Sequence, residues 1–413
     1  MSISSIDKPL FVGLTHVGQV FSIGWSHKIG HCAVFDFKIS KVKEFKNLKT
    51  TSEELGLKPF LKKNFNKIKF CLLKEDIKKY KNVFLTVDTP LNMDGTPKVK
   101  EITKIIFNLK NLLKKNCNLI ITSQVYCGFC DNLKKTILKD RQDINLIYFA
   151  ETLVMGNALE RFLKPERIII GYEKKTKFLN NFKKFQCKVY NYSLKEAEMV
   201  KIAVNLFLFN SVSYANMLDN YCRQFGFKFT KINASIRADL RIGKKSYISP
   251  SLGLSGGHLE RDVFTIIKTA RNSEVKSLFK RLKNLNENRI NLLIKKYTEL
   301  KNNFFFKKII WVGPSYKPES FSIVNSPYIK FKNFLRKRNK KIYIYDSFFN
   351  LKSEKLENCL DKINKKTFFK SLVIYNYSNK IDEKNLKKFV NMNICNVIDI
   401  NLNQNEKNKF LTY

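Results

Sequence analysis

The stretch that decides the fold is Leu10-Phe11-Val12-Gly13-Leu14-Thr15-His16-Val17-Gly18. A short apolar run ending at a glycine predicts a buried strand and a tight turn into a helix. The spacing resembles the dinucleotide fingerprint G-x-G-x-x-G, whose glycines let the backbone approach a diphosphate at a helix N-terminus. Thr15 stands where the second glycine is usual, and a Cβ there limits that approach. Asp36 ends the next apolar run, His31–Phe35, 23 residues after Gly13. A carboxylate at that place accepts from ribose hydroxyls and repels a 2′-phosphate, which favours NAD over NADP. Alone, the imperfect fingerprint fits equally well a strand–turn–helix that binds nothing.

Outward from this turn the pattern repeats. Asn82–Val87, Asn118–Thr122 and Arg167–Gly171 also read as strands, each followed by a turn signal. That alternation predicts a doubly wound, parallel α/β sheet. Ser193–Gly226 is helical, Gly243–Gly257 reads as a Gly/Ser/Pro-rich loop, and Asp262 to about Leu300 is helical again. Strands return at Lys308–Val312, Ile342–Tyr345, Leu372–Tyr375 and Asn396–Ile400. The expected architecture is two Rossmann-like α/β domains, residues 1–190 and 304–413, joined by a helical middle, 191–303.

Composition narrows the function. The 413 residues carry 77 Lys+Arg against 35 Asp+Glu, a net charge of +42. Such a charge suits a nucleic-acid or anionic-membrane partner. The excess is mostly Lys and scattered, with short runs at Lys174–Lys177 and Arg336–Lys341, and Lys, Asn, Ile and Phe are all residues of A/T-rich codons. Nucleic acid is therefore not the expected partner. The most apolar stretch, Ile202–Leu218, carries several Asn and Ser residues and reads as a buried helix, not a membrane span. No leader precedes the first strand, so the expected compartment is the cytoplasm, with reduced thiols.

Later segments carry a family resemblance. They are Val87-Asp88-Thr89-Pro90 with Asp94-Gly95; Ser123-Gln124-Val125 before Gly128; Glu151 with Gly156 and Ala158-Leu159; Pro165–Ile168 with Gly171; Ala197-Glu198 with Lys201, Asn205 and Asn216; Asp239 with Arg241–Gly243; Pro250, Gly253, Gly256 and Asp262; and Gly313 with Tyr316–Pro318 and Ser326-Pro327. In this order and spacing the chain resembles the UDP-glucose/GDP-mannose dehydrogenases, over about Leu10 to Asp346. These enzymes use NAD to oxidise the primary alcohol of a sugar carried on UDP or GDP, a step toward polysaccharide precursors. The resemblance implies a UDP- or GDP-sugar substrate, a homodimer built on the helical middle, and an active site between the two α/β domains. It implies that Lys201, Asn205 and Asp262 gather around the sugar hydroxyl and a water, with Glu151 beside them. Lys201 and Asn205 are four apart and share a helix face. On the cofactor side it implies Gly13, His16, Val17, Gly18, Asp36, Lys41, Thr89, Gln124 and Arg261. On the substrate side it implies Arg241, Lys317 and the loop Tyr247–Gly257 with Gly253 and Gly256; no metal is expected.

The chain also departs from that pattern. Its family's nucleophilic Cys lies four residues before the Asp, and that position is His258 here. An imidazole cannot form the usual thioester. Leu252, Ser255, Gln124, Met155 and Val324 are further departures. The expectation is a nucleotide-sugar dehydrogenase; without the thiol, one route open to it completes both oxidations through the aldehyde hydrate, with His258 as general base. Its alternatives are an enzyme that stops after one oxidation, and a degenerate relative that binds sugar nucleotide without turnover. Cys127-Gly128-Phe129-Cys130 has C-x-x-C spacing, yet lacks the second ligand pair of a zinc site and reads as structural. His27 and His31 read as packing or surface residues, and Pro314–Pro318 lacks the glycines of a second phosphate loop.

Overall fold

The computed structural model describes residues 8–400 and 411–412, apart from 52–53, 55, 93–96, 155, 255–257, 316–322, 324 and 349–355. Its strands are β1 Pro9–Val12, β2 Cys32–Phe35, β3 Ile68–Phe70, β4 Asn82–Leu85, β5 Asn118–Ile121, β6 Asn145–Phe149, β7 Arg167–Tyr172, β8 Lys188–Tyr192, β9 Lys308–Val312, β10 Tyr343–Tyr345, β11 Ser371–Tyr375, β12 Cys395–Asp399 and β13 Leu411–Thr412. Its α-helices are α1 His16–Lys28, α2 Ile39–Lys46, α3 Leu57–Lys63, α4 Val99–Lys110, α5 Phe129–Lys135, α6 Ala158–Leu163, α7 Leu194–Gln224, α8 Asn233–Ala238, α9 His258–Thr269, α10 Ser273–Asn288, α11 Ile290–Asn303, α12 Pro327–Arg336, α13 Lys365–Phe368 and α14 Lys380–Asn391. The chain divides into two compact units, Met1–Val204 and Asn205–Tyr413.

The first unit holds an eight-stranded sheet in the order β3-β2-β1-β4-β5-β6-β7-β8. Its central strands are apolar on both faces because helices cover both. Leu10 and Val12 enter one core with Val83, Leu85, Leu119 and Ile121. Phe11, between them, enters the other with Val20, Phe21 and Trp25 of α1. Each of these side chains is almost wholly out of water, worth about 2 kcal/mol apiece. This two-sided burial makes the central strands read as unbroken apolar runs. All neighbours are parallel except β6 and β7, which pair antiparallel. The short α6 connects them on one side of the sheet, and no full crossover is needed.

The second unit carries the parallel sheet β10-β9-β11-β12-β13. Here too alternation splits the strand: Ile309 and Trp311 pack with α11 and α12, whereas Ile310 and Val312 pack with α13 and α14. The helical middle expected from the sequence is α7 to α11, with three helices where one apolar pattern was read from Asp262 to Leu300. Ile202–Leu218 is helical, but it is not wholly buried as expected: Phe207, Tyr214 and Met217 are 70%, 52% and 46% exposed. No helix among the described residues is long and apolar enough to cross a membrane.

Candidate functional site

The fingerprint turn is built as its residue types require. Gly13 takes φ +104°, and a Cβ on it would lie 2.3 Å from Val87 Cγ1. Its N–H donates to Phe35 O at the end of β2, 2.8 Å away. A Cβ on Gly18 would fall 1.8 Å from Gly13 O, so only glycine lets α1 pack this closely on the turn. Thr15 is the N-cap of α1, but its hydroxyl donates to Thr86 O (2.8 Å) and does not cap the helix. No acidic side chain occupies the first turn of α1. The partial positive charge of that helix end is thus left for an external anion.

Asp36 follows β2 and is buried. Its Oδ2 accepts the Leu14 N–H and its Oδ1 the Lys38 N–H, both at 2.8 Å, while Lys41 Nζ lies 4.0 Å from Oδ2. The carboxylate therefore holds the glycine turn and keeps lone pairs for a further donor. Thr89 donates to Gln124 O at 2.6 Å, tying the chain after β4 to that after β5. Val17 occupies the first turn of α1, partly buried. The His16 ring, expected at the cofactor, has its Nε2 3.2 Å from Glu54 Oε2. These features fit a dinucleotide: an uncapped helix end, a glycine cradle that a Cβ would fill, and a carboxylate at the ribose position.

Lys201 lies on α7, and its Nζ is 3.6 Å from Glu151 Oε2, with both side chains largely buried. The other Glu151 oxygen accepts the Leu153 N–H. A buried ammonium without a partner would be costly, and Glu151 supplies the partner. Glu198, one turn earlier on α7, caps α5 by accepting from Gly128 (2.5 Å) and Cys130 (2.8 Å). Burial raises the Glu198 carboxyl above its usual range, partly offset by these bonds and the Cys130 contact. The C-x-x-C segment is thus held through its backbone. All nine cysteines are free thiols, and no group of His, Cys, Asp or Glu suited to a metal occurs among the described residues.

In the second unit Asn205 Nδ2 donates to Asp262 Oδ2 at 2.7 Å, both residues buried. Asp262 and the buried Arg261 lie in α9. His258 opens that helix, but its side chain lies outside the described residues, as do Gly256, Ser255, Lys317, Val324, Met155, Asp94 and Gly95. Arg241 is exposed and grips Asp239 through Nε (3.0 Å) and Nη2 (2.7 Å). Tyr247 is also exposed. Gly253 takes φ +111°, and a Cβ there would meet Asn286 O at 2.9 Å.

The loop's anchors were not visible in sequence. Ser251 N–H donates to Asn216 Oδ1 (2.7 Å), and Leu254 N–H to Asn286 Oδ1 (2.6 Å). Buried Arg289 donates to Ser251 O (2.9 Å), Asn216 O (3.2 Å), Asn220 Oδ1 (2.5 Å) and Asp219 Oδ2 (3.0 Å). Burial opposes the charge on Asp219, but the Arg289 and Arg223 guanidiniums prevail and hold its carboxyl below the usual range. Asn216 was singled out in the sequence. Arg289, Asn286 and Asp219 carry no motif, because their partners are far away in the chain.

Comparisons with known proteins agree with this geometry. Residues 8–193 match the NAD binding domain of the UDP-glucose/GDP-mannose dehydrogenase family, and 195–288 match its central domain. A UDP-glucose 6-dehydrogenase of Bacillus subtilis is 25% identical over 345 residues, 81% of this chain and 78% of the relative. One from Campylobacter jejuni is 29% identical over 369 residues, 84% and 90% of the two chains. The solved UDP-D-ManNAc dehydrogenase of Pyrococcus horikoshii has the same fold, with TM-score 0.84, 18% identity and 98% of both chains covered. That of a Pyrobaculum islandicum UDP-glucose dehydrogenase gives TM-score 0.81 at 20% identity over 91% of both. The expected family, fold class, NAD cofactor and oxidoreductase class are borne out. With its NAD-binding turn and both domains matched in order, the chain belongs to the UDP-glucose/GDP-mannose dehydrogenase family, the NAD-dependent nucleotide-sugar dehydrogenases.

Proposed function

We propose that the protein oxidises the primary alcohol of a UDP-linked sugar, UDP-glucose first among the candidates. The observation that carries this reading is the paired state of both halves of the expected catalytic set: Lys201 with Glu151, and Asn205 with Asp262. Bound NAD supplies the hydride acceptor. Asp262, oriented by the Asn205 amide, is the acceptor for the hydroxyl proton. Lys201, held by Glu151, donates hydrogen bonds to the alkoxide oxygen as negative charge develops there. The turn at Gly13–Gly18 and Asp36 hold the dinucleotide, with Lys41, Thr89, Gln124 and Arg261 around it. Arg241, Tyr247, Gly253, Gly256 and Lys317 take the sugar nucleotide.

His258 stands at the place of the thiol nucleophile. The second oxidation then starts from the aldehyde hydrate: water adds to the carbonyl, and loss of one hydride and two protons gives the carboxylate. His258 takes a proton from the hydrate in that step. The test is the count of NADH formed per UDP-glucose consumed. Two are expected, with none after Lys201→Ala. One would mean that the reaction stops at the aldehyde. None from the folded protein with sugar nucleotide still bound would replace this reading with a binding relative.

The same reading includes a homodimer. Phe207, Tyr214, Met217 and Tyr221 lie along α7 at spacings of seven, three and four, and are 70%, 52%, 46% and 58% exposed. Such a seam is self-complementary when two copies pack it together. Sedimentation should give a dimer, and Tyr214→Glu a monomer. A monomeric wild type would remove the dimer from the proposal.

A further inference from the structure

Glu54 lies in none of the segments that carry the family resemblance, yet it is 4% exposed and accepts from two separate parts of the first unit. Its Oε1 accepts from Ala158 N–H at 2.7 Å and Leu159 N–H at 3.3 Å, the first residues of α6. Oε2 accepts from Gly156 N–H at 3.0 Å and faces His16 Nε2 at 3.2 Å. His16 is the first residue of α1, within the dinucleotide turn. The 156–159 segment begins five residues after Glu151, which holds Lys201. A single carboxylate therefore links the cofactor turn to the stretch that sets the Glu151–Lys201 pair.

We infer that Glu54 is a positioning residue that fixes the Glu151 segment relative to the NAD turn, acting through His16 on one side and the N-terminus of α6 on the other. This rests on the proposed function for the role of Glu151, but the linkage itself does not. A carboxylate suits the task because all of its lone pairs can accept. Both of its oxygens face N–H groups. A glutamine amide would turn an NH₂ group toward one set of them. With its oxygen toward α6 it would set that group against the Gly156 N–H, and with its oxygen toward Gly156 it would set it against the Ala158 and Leu159 N–H groups.

The test uses the full chain and three readouts: NADH affinity by fluorescence, UDP-glucose affinity by calorimetry, and kcat. Glu54→Gln should weaken NADH about tenfold and UDP-glucose about fivefold, and lower kcat further. His16→Ala should weaken NADH about fivefold, and His16→Gln, which keeps a donor for Glu54, should restore most of that loss. Adding His16→Ala to Glu54→Gln should cost no more NADH affinity, because both changes cut one link. A folded Glu54→Gln protein with either affinity within about twofold of wild type would overturn the inference. So would multiplicative losses in the double variant. If Glu54→Gln does not fold, the two His16 variants decide, and equal NADH affinity in both overturns it. Absence of turnover with every sugar, with the NADH cycle intact, would count against the proposed function and leave the linkage standing.

Discussion

The two sheets begin with the same device and put it to different use. After β1, Gly13 N–H donates to Phe35 O at the end of β2; after β9, Gly313 N–H donates to Tyr345 O at the end of β10, both at 2.8 Å. Asp36 and Asp346 follow those two strands. Each accepts an N–H two residues on, from Lys38 (2.8 Å) and Phe348 (2.9 Å). The second oxygen separates them. Asp36 Oδ2 takes Leu14 N–H inside the glycine turn, whereas Asp346 Oδ2 takes the Tyr377 hydroxyl at 2.6 Å. Burial, then the Asp346 charge, pushes the Tyr377 hydroxyl pKa far up. α1 starts three residues after Gly13; among the described residues the next helix after Gly313 is α12, at Pro327. One frame thus ends in an uncapped helix end that suits a diphosphate. In the other, Tyr377 packs against the glycine: a Cβ on Gly313 would meet Tyr377 O at 2.7 Å. A strand, a glycine and an acidic residue do not by themselves make a dinucleotide site. What the first frame shows beyond these is α1, opening three residues after its glycine with no acidic side chain in the first turn.

The largest effect should come from the two glycines that serve close packing. Gly18→Ala drives a methyl into Gly13 O, a backbone atom that cannot move aside cheaply. It should cost about 3 kcal/mol and abolish measurable NADH binding. Gly313→Ala meets both a positive φ of +74° and the Tyr377 carbonyl. It should cost about 2 kcal/mol and leave NADH affinity within about twofold. Thermal melts and an NADH titration on the same preparations separate the two outcomes. Equal losses of NADH affinity would break the comparison.

A smaller effect is expected at the paired carboxylates. Asp36→Asn removes a charged acceptor from Leu14 and Lys38. NADH should weaken about tenfold, and discrimination against NADPH should narrow because the repulsion of a 2′-phosphate is gone. Asp346→Asn keeps an oxygen for the Tyr377 hydroxyl, so it should cost about 1 kcal/mol of stability and leave coenzyme preference alone. A coenzyme preference that shifts with Asp346 would place the second turn in cofactor binding after all.

Much of this difference was legible in the residues, and the limits were physical. Central strands such as Asn118–Ile121 are buried on both faces and stand out as apolar runs. The edge strands Ile68–Phe70 and Lys188–Tyr192 are half exposed and show no such run, so they were not read. Asn145–Phe149 was missed as well, and with it the antiparallel step to β7, which depends on a long-range pairing. Lys201 with Asn205 and Asp36 with Gly13 could be placed because helix and strand periodicity set their geometry. Glu54 and Arg289 could not. Their partners lie 104 residues (Ala158) and 73 residues (Asn216) away, and no local pattern encodes such a contact.

Thr15 gives the smallest effect and the finest discrimination between the two turns. Its side chain is the one feature of the first turn that argues against a dinucleotide. Yet the hydroxyl is spent on Thr86 O at 2.8 Å, and the Thr86 hydroxyl in turn donates to Gly13 O at 2.8 Å. The threonine therefore braces the end of β4 against the glycine turn. On this account Thr15→Gly loses a hydrogen bond worth about 1 kcal/mol and adds chain freedom to the unfolded state. Its Tm should fall by a few degrees while NADH affinity stays within about threefold. Thr15→Val, which keeps the Cβ and loses the hydroxyl, should lose about as much stability, because the brace and not the backbone freedom dominates. A Thr15→Gly variant that binds NADH tenfold more tightly would show instead that the Cβ blocks the diphosphate, and that the first turn is itself partly closed.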